Sequence, residues 1–109
     1  FVLKTDHEFD WPVKVKVPVD GGRFAEGEFT VRFRLLPKER ADELLASGDD
    51  KAIAREVVVG FGPDLVDENE RPVPFGEQAL ESLLAVPWIR VGLVTAYTRA
   101  CYGLKEKNS

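Results

Sequence analysis

The sequence predicts an α+β fold: an N-terminal antiparallel β-hairpin followed by a cluster of about four α-helices. Three observations carry this. Two early runs alternate apolar and polar residues with period two. From residue 37 onward the apolar residues recur at helical spacing. The period changes only once, which separates strands from helices along the chain.

The opening "FVLK", residues 1–4, is a candidate third short strand. The first hairpin strand is expected near 13–19, within "WPVKVKVPV". Val13, Val15, Val17 and Val19 share one side, and Lys14 and Lys16 share the other. Pro12 and Pro18 lack an N–H for a ladder, which suits an edge strand or strand ends. Asp20, Gly21 and Gly22 supply turn chemistry. The second strand is expected near 28–35, with Phe29, Val31, Phe33 and Leu35 on one face and Thr30, Arg32 and Arg34 on the other. Phe24 is out of phase with Phe29, so a bulge or irregular loop is expected near Gly27.

Pro37 opens a helix near 38–47, and Gly48 lies just past its end. Ala41, Leu44 and Leu45 form its apolar side. Asp49 or Asp50 caps a second helix near 50–59, carrying Ile53, Ala54, Val57 and Val58. Gly60 is read as its stop, and the triple valine leaves a strand open as an alternative at that end. In the connector "GFGPDLVDENERPVP", Asn69 is the expected turn apex, with Leu65 and Val66 pairing near Val73. A third helix is expected near 77–85, with Leu80, Leu83 and Leu84 inward, and Pro87 breaks it. A fourth is expected near 88–102, stopped by Gly103, and the tail at about 105–109 is expected to fray. The whole chain, 1–109, is read as a single domain. Val13, Val15, Val17, Phe29, Val31, Phe33, Leu44, Ile53, Leu80, Leu83, Leu93 and Tyr97 form the expected core.

The composition is that of an ordinary globular domain, 44% hydrophobic and 31% charged. No apolar run is long enough to span a bilayer. "FVLKTDHEFDW" has neither a basic n-region nor an apolar h-region, so it is not read as a signal peptide. The net charge of -4 argues against nucleic acid as the main partner, because binding phosphates needs a basic face. Lys14, Lys16, Arg32 and Arg34 would share one strand face, read as an ordinary solvated face that also blocks edge aggregation. With one cysteine, Cys101, neither an internal disulfide nor a cysteine zinc cluster is available, and a reducing cytoplasm is the simplest setting.

The chain carries little that reads as chemistry. His7 is the single histidine, and its neighbours Asp6 and Glu8 do not converge with it in an extended chain. "DLVDENE" lacks the spacing of a calcium loop and reads as an acidic turn. Cys101 is spaced with Tyr97 and Leu104 as a small core residue. "GGRFAEG" and "GFGP" match no phosphate-binding pattern. Neither a catalytic residue, a metal ligand nor a cofactor site is expected, and the chain is read as no enzyme.

The fourth helix is unusual. Ile89, Leu93, Tyr97, Ala100 and Leu104 form one stripe, and Val91, Val94, Thr95, Thr98 and Tyr102 fill much of the rest. A surface helix carries more polar residues opposite its stripe. Either this helix is enclosed, or its second face meets another chain. Val91, Val94, Thr98 and Tyr102, with Phe61 and Trp88 at the rim, are therefore the candidate partner-binding residues.

The run from Val57 to Gly103 also resembles the C-terminal half of tailed-phage and prophage tail assembly chaperones. The residues that carry the resemblance are Val59-Gly60-Phe61, Asp67-Glu68, Pro72 to Phe75, Leu83-Leu84, Pro87-Trp88, Ile89-Arg90 and Ala96-Tyr97. Trp11-Pro12, the Phe-rich second strand and Leu44-Leu45 extend it to roughly residues 11–104. Phe61 stands where that pattern has tryptophan, and Gly76 where it has a serine N-cap, a change worth only a few tenths of a kcal/mol. The resemblance implies a non-enzymatic assembly factor of the bacterial host cytoplasm, absent from the mature virion. It would bind the tape measure protein and help tail tube subunits assemble around it, with self-association open and neither membrane nor nucleic acid as partner. The alternative is a structural virion component, such as a tail terminator or head–tail connector protein.

Overall fold

The structure is a computed structural model, which describes residues 1–3 and 6–103. The expected Leu104 contact, the tail at 105–109 and Lys4 of the opening segment lie outside the described residues. Strands β1 (Glu8–Val19) and β2 (Arg23–Arg34) form the hairpin. Helices α1 (Lys38–Ser47) and α2 (Asp50–Val57) follow, then strand β3 (Val58–Phe61) and helices α3 (Glu77–Leu84) and α4 (Pro87–Cys101). The sheet is antiparallel in the order β1-β2-β3. The third strand is thus Val58–Phe61 and not the opening "FVLK", of which Phe1, Val2 and Leu3 have no regular structure and lie exposed.

Both hairpin strands are longer than their apolar alternation, and they pair without a shift from Glu8↔Arg34 to Val19↔Arg23. The bulge expected at Gly27 is absent. Phe24 is in strict phase on the face opposite Phe29, across from Pro18, and it is 65% exposed. The register shift falls instead between Arg32 and Phe33, where β2 meets β3. Asp20, Gly21 and Gly22 make the turn, both glycines at the positive φ that a Cβ disfavours.

The prolines of β1 are placed where the ladder needs no donor. Pro12 faces Thr30, whose own N–H points away from β1 and donates to Asp64 Oδ1 at 2.8 Å. The Pro12–Thr30 pair is therefore a non-hydrogen-bonded one, and the missing N–H would have pointed outward. Pro18, six residues on, falls in the same phase.

The end of α1 and the start of α2 match local chemistry. Gly48 takes the left-handed conformation after α1, with its N–H on the Leu45 carbonyl. Asp49 caps α2 by accepting from the Ala52 N–H at 3.1 Å. α2 stops at Val57, two residues before the expected end. Val58 and Val59 go to the sheet because β2 offers a pairing edge at Val31–Phe33, and β-branched residues fit a pleated surface.

The core is one cluster. Val13, Val15, Phe29, Val31 and Phe33 of the hairpin meet Leu44, Ile53, Val57, Leu80, Leu84, Leu93, Ala96 and Tyr97. Val17 and Leu83, expected in the core, are only half-buried. Val17 sits toward the hairpin tip and packs only partly on the core, and Leu84 takes the inward position next to Leu83. The principal extents are 44 × 29 × 28 Å.

Candidate functional site

α4 packs on β1 through a face centred on Gly92, Leu93, Ala96 and Tyr97, all buried. That face is tilted from the expected stripe because Gly92 permits the closest approach to the strand. A Cβ there would lie 2.7 Å from Val15 Cγ1 and 2.9 Å from the Lys14 carbonyl oxygen. Tyr97 reaches under the first helix, where its hydroxyl accepts the Leu36 N–H at 3.1 Å. Burial pushes the Tyr97 phenol up to about 12. Its ring stands edge-on to Phe33 at 5.3 Å.

The second face of α4 is not enclosed. Val91 is 55% exposed and Tyr102 72%, Thr95 and Thr98 are exposed, and Val94 is half-buried. The Thr98 hydroxyl is used within the helix, donating to the Val94 carbonyl at 2.9 Å.

The six expected partner residues do not converge on one surface. Val94, Thr98 and Tyr102 open into a groove of about 450 Å³ between α4 and α1. Leu35 and Leu45 line its other side. Trp88 and Val91 belong to a second trough of about 580 Å³, between α4 and the hairpin residues Lys14, Lys16 and Phe24. Phe61 belongs to neither. It lies on β3 with its ring edge-on to Phe75 at 5.0 Å. Phe75 is the residue before the Gly76 cap, and the ring it packs on is Phe61.

The α1–α4 groove is apolar with a polar rim, where Lys38 Nζ pairs with Asp42 at 2.7 Å. Its size suits the side chains of an apolar or amphipathic segment. Sequence spacing places Leu35 and Leu45 inward, yet they are 42% and 55% exposed. β2 ends at Arg34, so Leu36 turns in and Leu35 turns out. In α1 the inward arc takes Leu44 and leaves Leu45 on the groove side. A pair of adjacent leucines, only one of which can face the core of an element, was the available signal.

The other sequence candidates are placed as follows. His7 is exposed, stacks on Phe9 at 5.4 Å, and its carbonyl accepts the Leu35 N–H. The carboxylate of Asp67 is engaged with its own turn, Oδ1 accepting from the Asn69 and Arg71 N–H groups at 2.8 and 3.1 Å. Val73 donates to the Leu65 carbonyl in the small pairing expected there, and Glu70 carries the positive φ. Cys101 is exposed at the end of α4 rather than in the core, and desolvation pushes its thiol up. The hairpin face with the four basic residues is not a basic patch. Glu28 and Glu26 face Lys14 and Lys16, and Arg32 pairs with Glu8 and Asp10. Arg34 donates to the Glu56 carbonyl. Among the described residues no group of three or more His, Cys, Asp or Glu is placed to hold a metal ion. No helix among them is long and apolar enough to cross a membrane by itself; α3 and α4 reach that composition only together, bent by 105°.

Comparisons with protein-family models, curated proteins and solved structures returned no match.

Proposed function

We propose that the chain is a non-enzymatic tail assembly chaperone of a tailed phage or prophage, acting in the bacterial host cytoplasm. Its client would be the tape measure protein, delivered to the polymerising tail tube. The observation that carries the reading is the uncovered second face of α4, where Val94, Thr98 and Tyr102 open into the groove against α1. A holdase acts by favouring one state of its client, so its equipment is surface and not reactive groups. An apolar groove with a charged rim is equipment of that kind. The motifs from Val59 to Tyr97 that resemble the chaperone family build the same helix and the connector that aims it.

The test is co-expression of the chain with the tape measure protein encoded beside it, followed by pull-down. A soluble complex supports the reading, while a tape measure protein that stays insoluble and uncaptured removes it. Recovery of the chain in purified, finished particles would favour a virion component instead.

A further inference from the structure

β2 has an open edge with a defined chemistry. β3 and the turn after it cover β2 only from Thr30 to Phe33: Gly62 donates to the Thr30 carbonyl at 2.7 Å, and Asp64 accepts the Thr30 N–H. Both backbone groups of Thr30 therefore point away from β1. The hairpin register runs without a shift, so Glu28, Glu26 and Phe24 are in the same phase as Thr30. Their N–H and C=O groups point to the same outer side. Among the described residues nothing pairs with them there.

The two edges of the hairpin are treated differently. The outer edge of β1 carries Pro12 and Pro18 in its outward phase, and α4 passes against the Lys14 carbonyl. Prolines and a covering helix are how proteins block a sheet edge. Among the described residues the edge of β2 from Phe24 to Glu28 has neither. It presents instead Glu26 and Glu28 on one face, and among the described residues neither enters an ion pair.

We propose that the β2 edge at Phe24–Glu28 receives an extended segment of another protein, added as a strand, that carries Lys or Arg at alternate positions. Cross-strand neighbours of opposite charge stabilise such pairing, and like charges oppose it. The chain already shows the match on its other side, where Lys14 and Lys16 of "VKVKV" stand across from Glu28 and Glu26. A second copy of the chain does not fit. β2 against β2 about Glu26 or Gly27 sets glutamates opposite glutamates, and the partner's β1 edge is closed by its prolines and α4. The surface is set by strand geometry and is separate from the α1–α4 groove, so it stands whatever occupies that groove.

The test uses the 109-residue chain and two fluorescein-labelled peptides, acetyl-VKVKVKV-amide and acetyl-VEVEVEV-amide, read by fluorescence anisotropy. The lysine peptide should bind at least tenfold more tightly, and its affinity should fall with added salt. Glu26→Pro removes an outward N–H in the phase that already holds Pro12 and Pro18, and should weaken that binding at least tenfold. Glu26→Lys combined with Glu28→Lys should reverse the preference between the peptides. Amide exchange on the unsubstituted chain gives a readout that needs no variant: the lysine peptide should protect the Glu26 and Glu28 amides. Equal binding of the two peptides, no binding, no added amide protection, or self-association through this edge that Glu26→Pro abolishes would each overturn the proposal.

Discussion

Gly92 and Lys14 touch backbone to backbone: a methyl group added at Gly92 would sit 2.9 Å from the Lys14 carbonyl oxygen. This contact sets how α4 lies on the sheet, because the same added carbon would also be 2.7 Å from Val15 Cγ1. Neither obstacle is the free end of a flexible side chain.

Gly92→Ala therefore sets two effects against each other. Alanine gains about 1 kcal/mol of helix propensity. Overpacking against a backbone oxygen and a buried valine costs about 1–3 kcal/mol. The expected net result is destabilisation of about 1 kcal/mol, and Gly92→Val, with more bulk and a poorer propensity, should lose clearly more. Urea denaturation of both variants checks this; an alanine variant more stable than the parent would show that α4 can slide.

Tyr97→Phe should cost about 1–3 kcal/mol by leaving the Leu36 N–H, buried at the end of the strand, without its acceptor. The same residue predicts a pH dependence. Its phenol is raised in the folded chain from 10.0 to about 12, so the folded state holds the proton more tightly than the unfolded state does. The associated stability is complete below pH 10 and is lost as pH rises from 10 towards 12. Melting temperature against pH should fall more steeply through that window for the parent than for Tyr97→Phe; identical slopes would place the titration elsewhere.

Phe75→Ala should remove the edge-on contact with Phe61, worth about 1 kcal/mol in such pairs, and should loosen the connector between β3 and α3. Limited proteolysis should then cut within residues 62–76 faster than in the parent. Unchanged cleavage would mean that the connector's hydrogen bonds, among them Asp64 accepting from the Thr30 hydroxyl at 2.9 Å and Val73 donating to the Leu65 carbonyl, hold it without the ring contact.

Tyr102→Ala should leave stability within about 0.5 kcal/mol, since the side chain is 72% exposed, yet weaken capture of the proposed client, the tape measure protein, several-fold. Val94→Asp is the stronger change. Val94 is half-buried at the groove floor, so some stability is lost along with binding. Pull-down and thermal melting of both variants separate the two effects. Full client capture by both would remove the α1–α4 groove from the proposed function.

Local signals were sufficient wherever neighbours in sequence settle the matter. Pro37 and Gly48 bracket α1 at Lys38–Ser47, as their spacing predicts. Asp49 caps α2, and Pro87 both ends α3 and opens α4 at its first position. The alternation of Val13 to Val17 and Phe29 to Phe33 placed the correct face of the hairpin inward. The apolar surplus of the last helix was legible too, from the shortage of charge around it, but whether its second face is enclosed or open was not. The particular groove was not. Its opposite wall is Leu35 and Leu45, and periodicity counts both as core residues.

Chain-local chemistry thus determined the α+β class, the faces of the hairpin, the helix boundaries other than the end of α2, and an apolar surplus on α4. Hydrogen-bond periods, caps and turn residues act over a few neighbours and can be read one window at a time. The tertiary structure alone decided that Val58–Phe61 becomes a strand, because its preference is ambiguous until β2 offers it an edge. It decided that Phe61 turns to Phe75 while Val94 and Tyr102 face α1, because both depend on contacts between segments distant in sequence. It also decided which backbone groups of β2 stay unpaired, since β3 ends at Phe61 and covers only the far end of the longer strand.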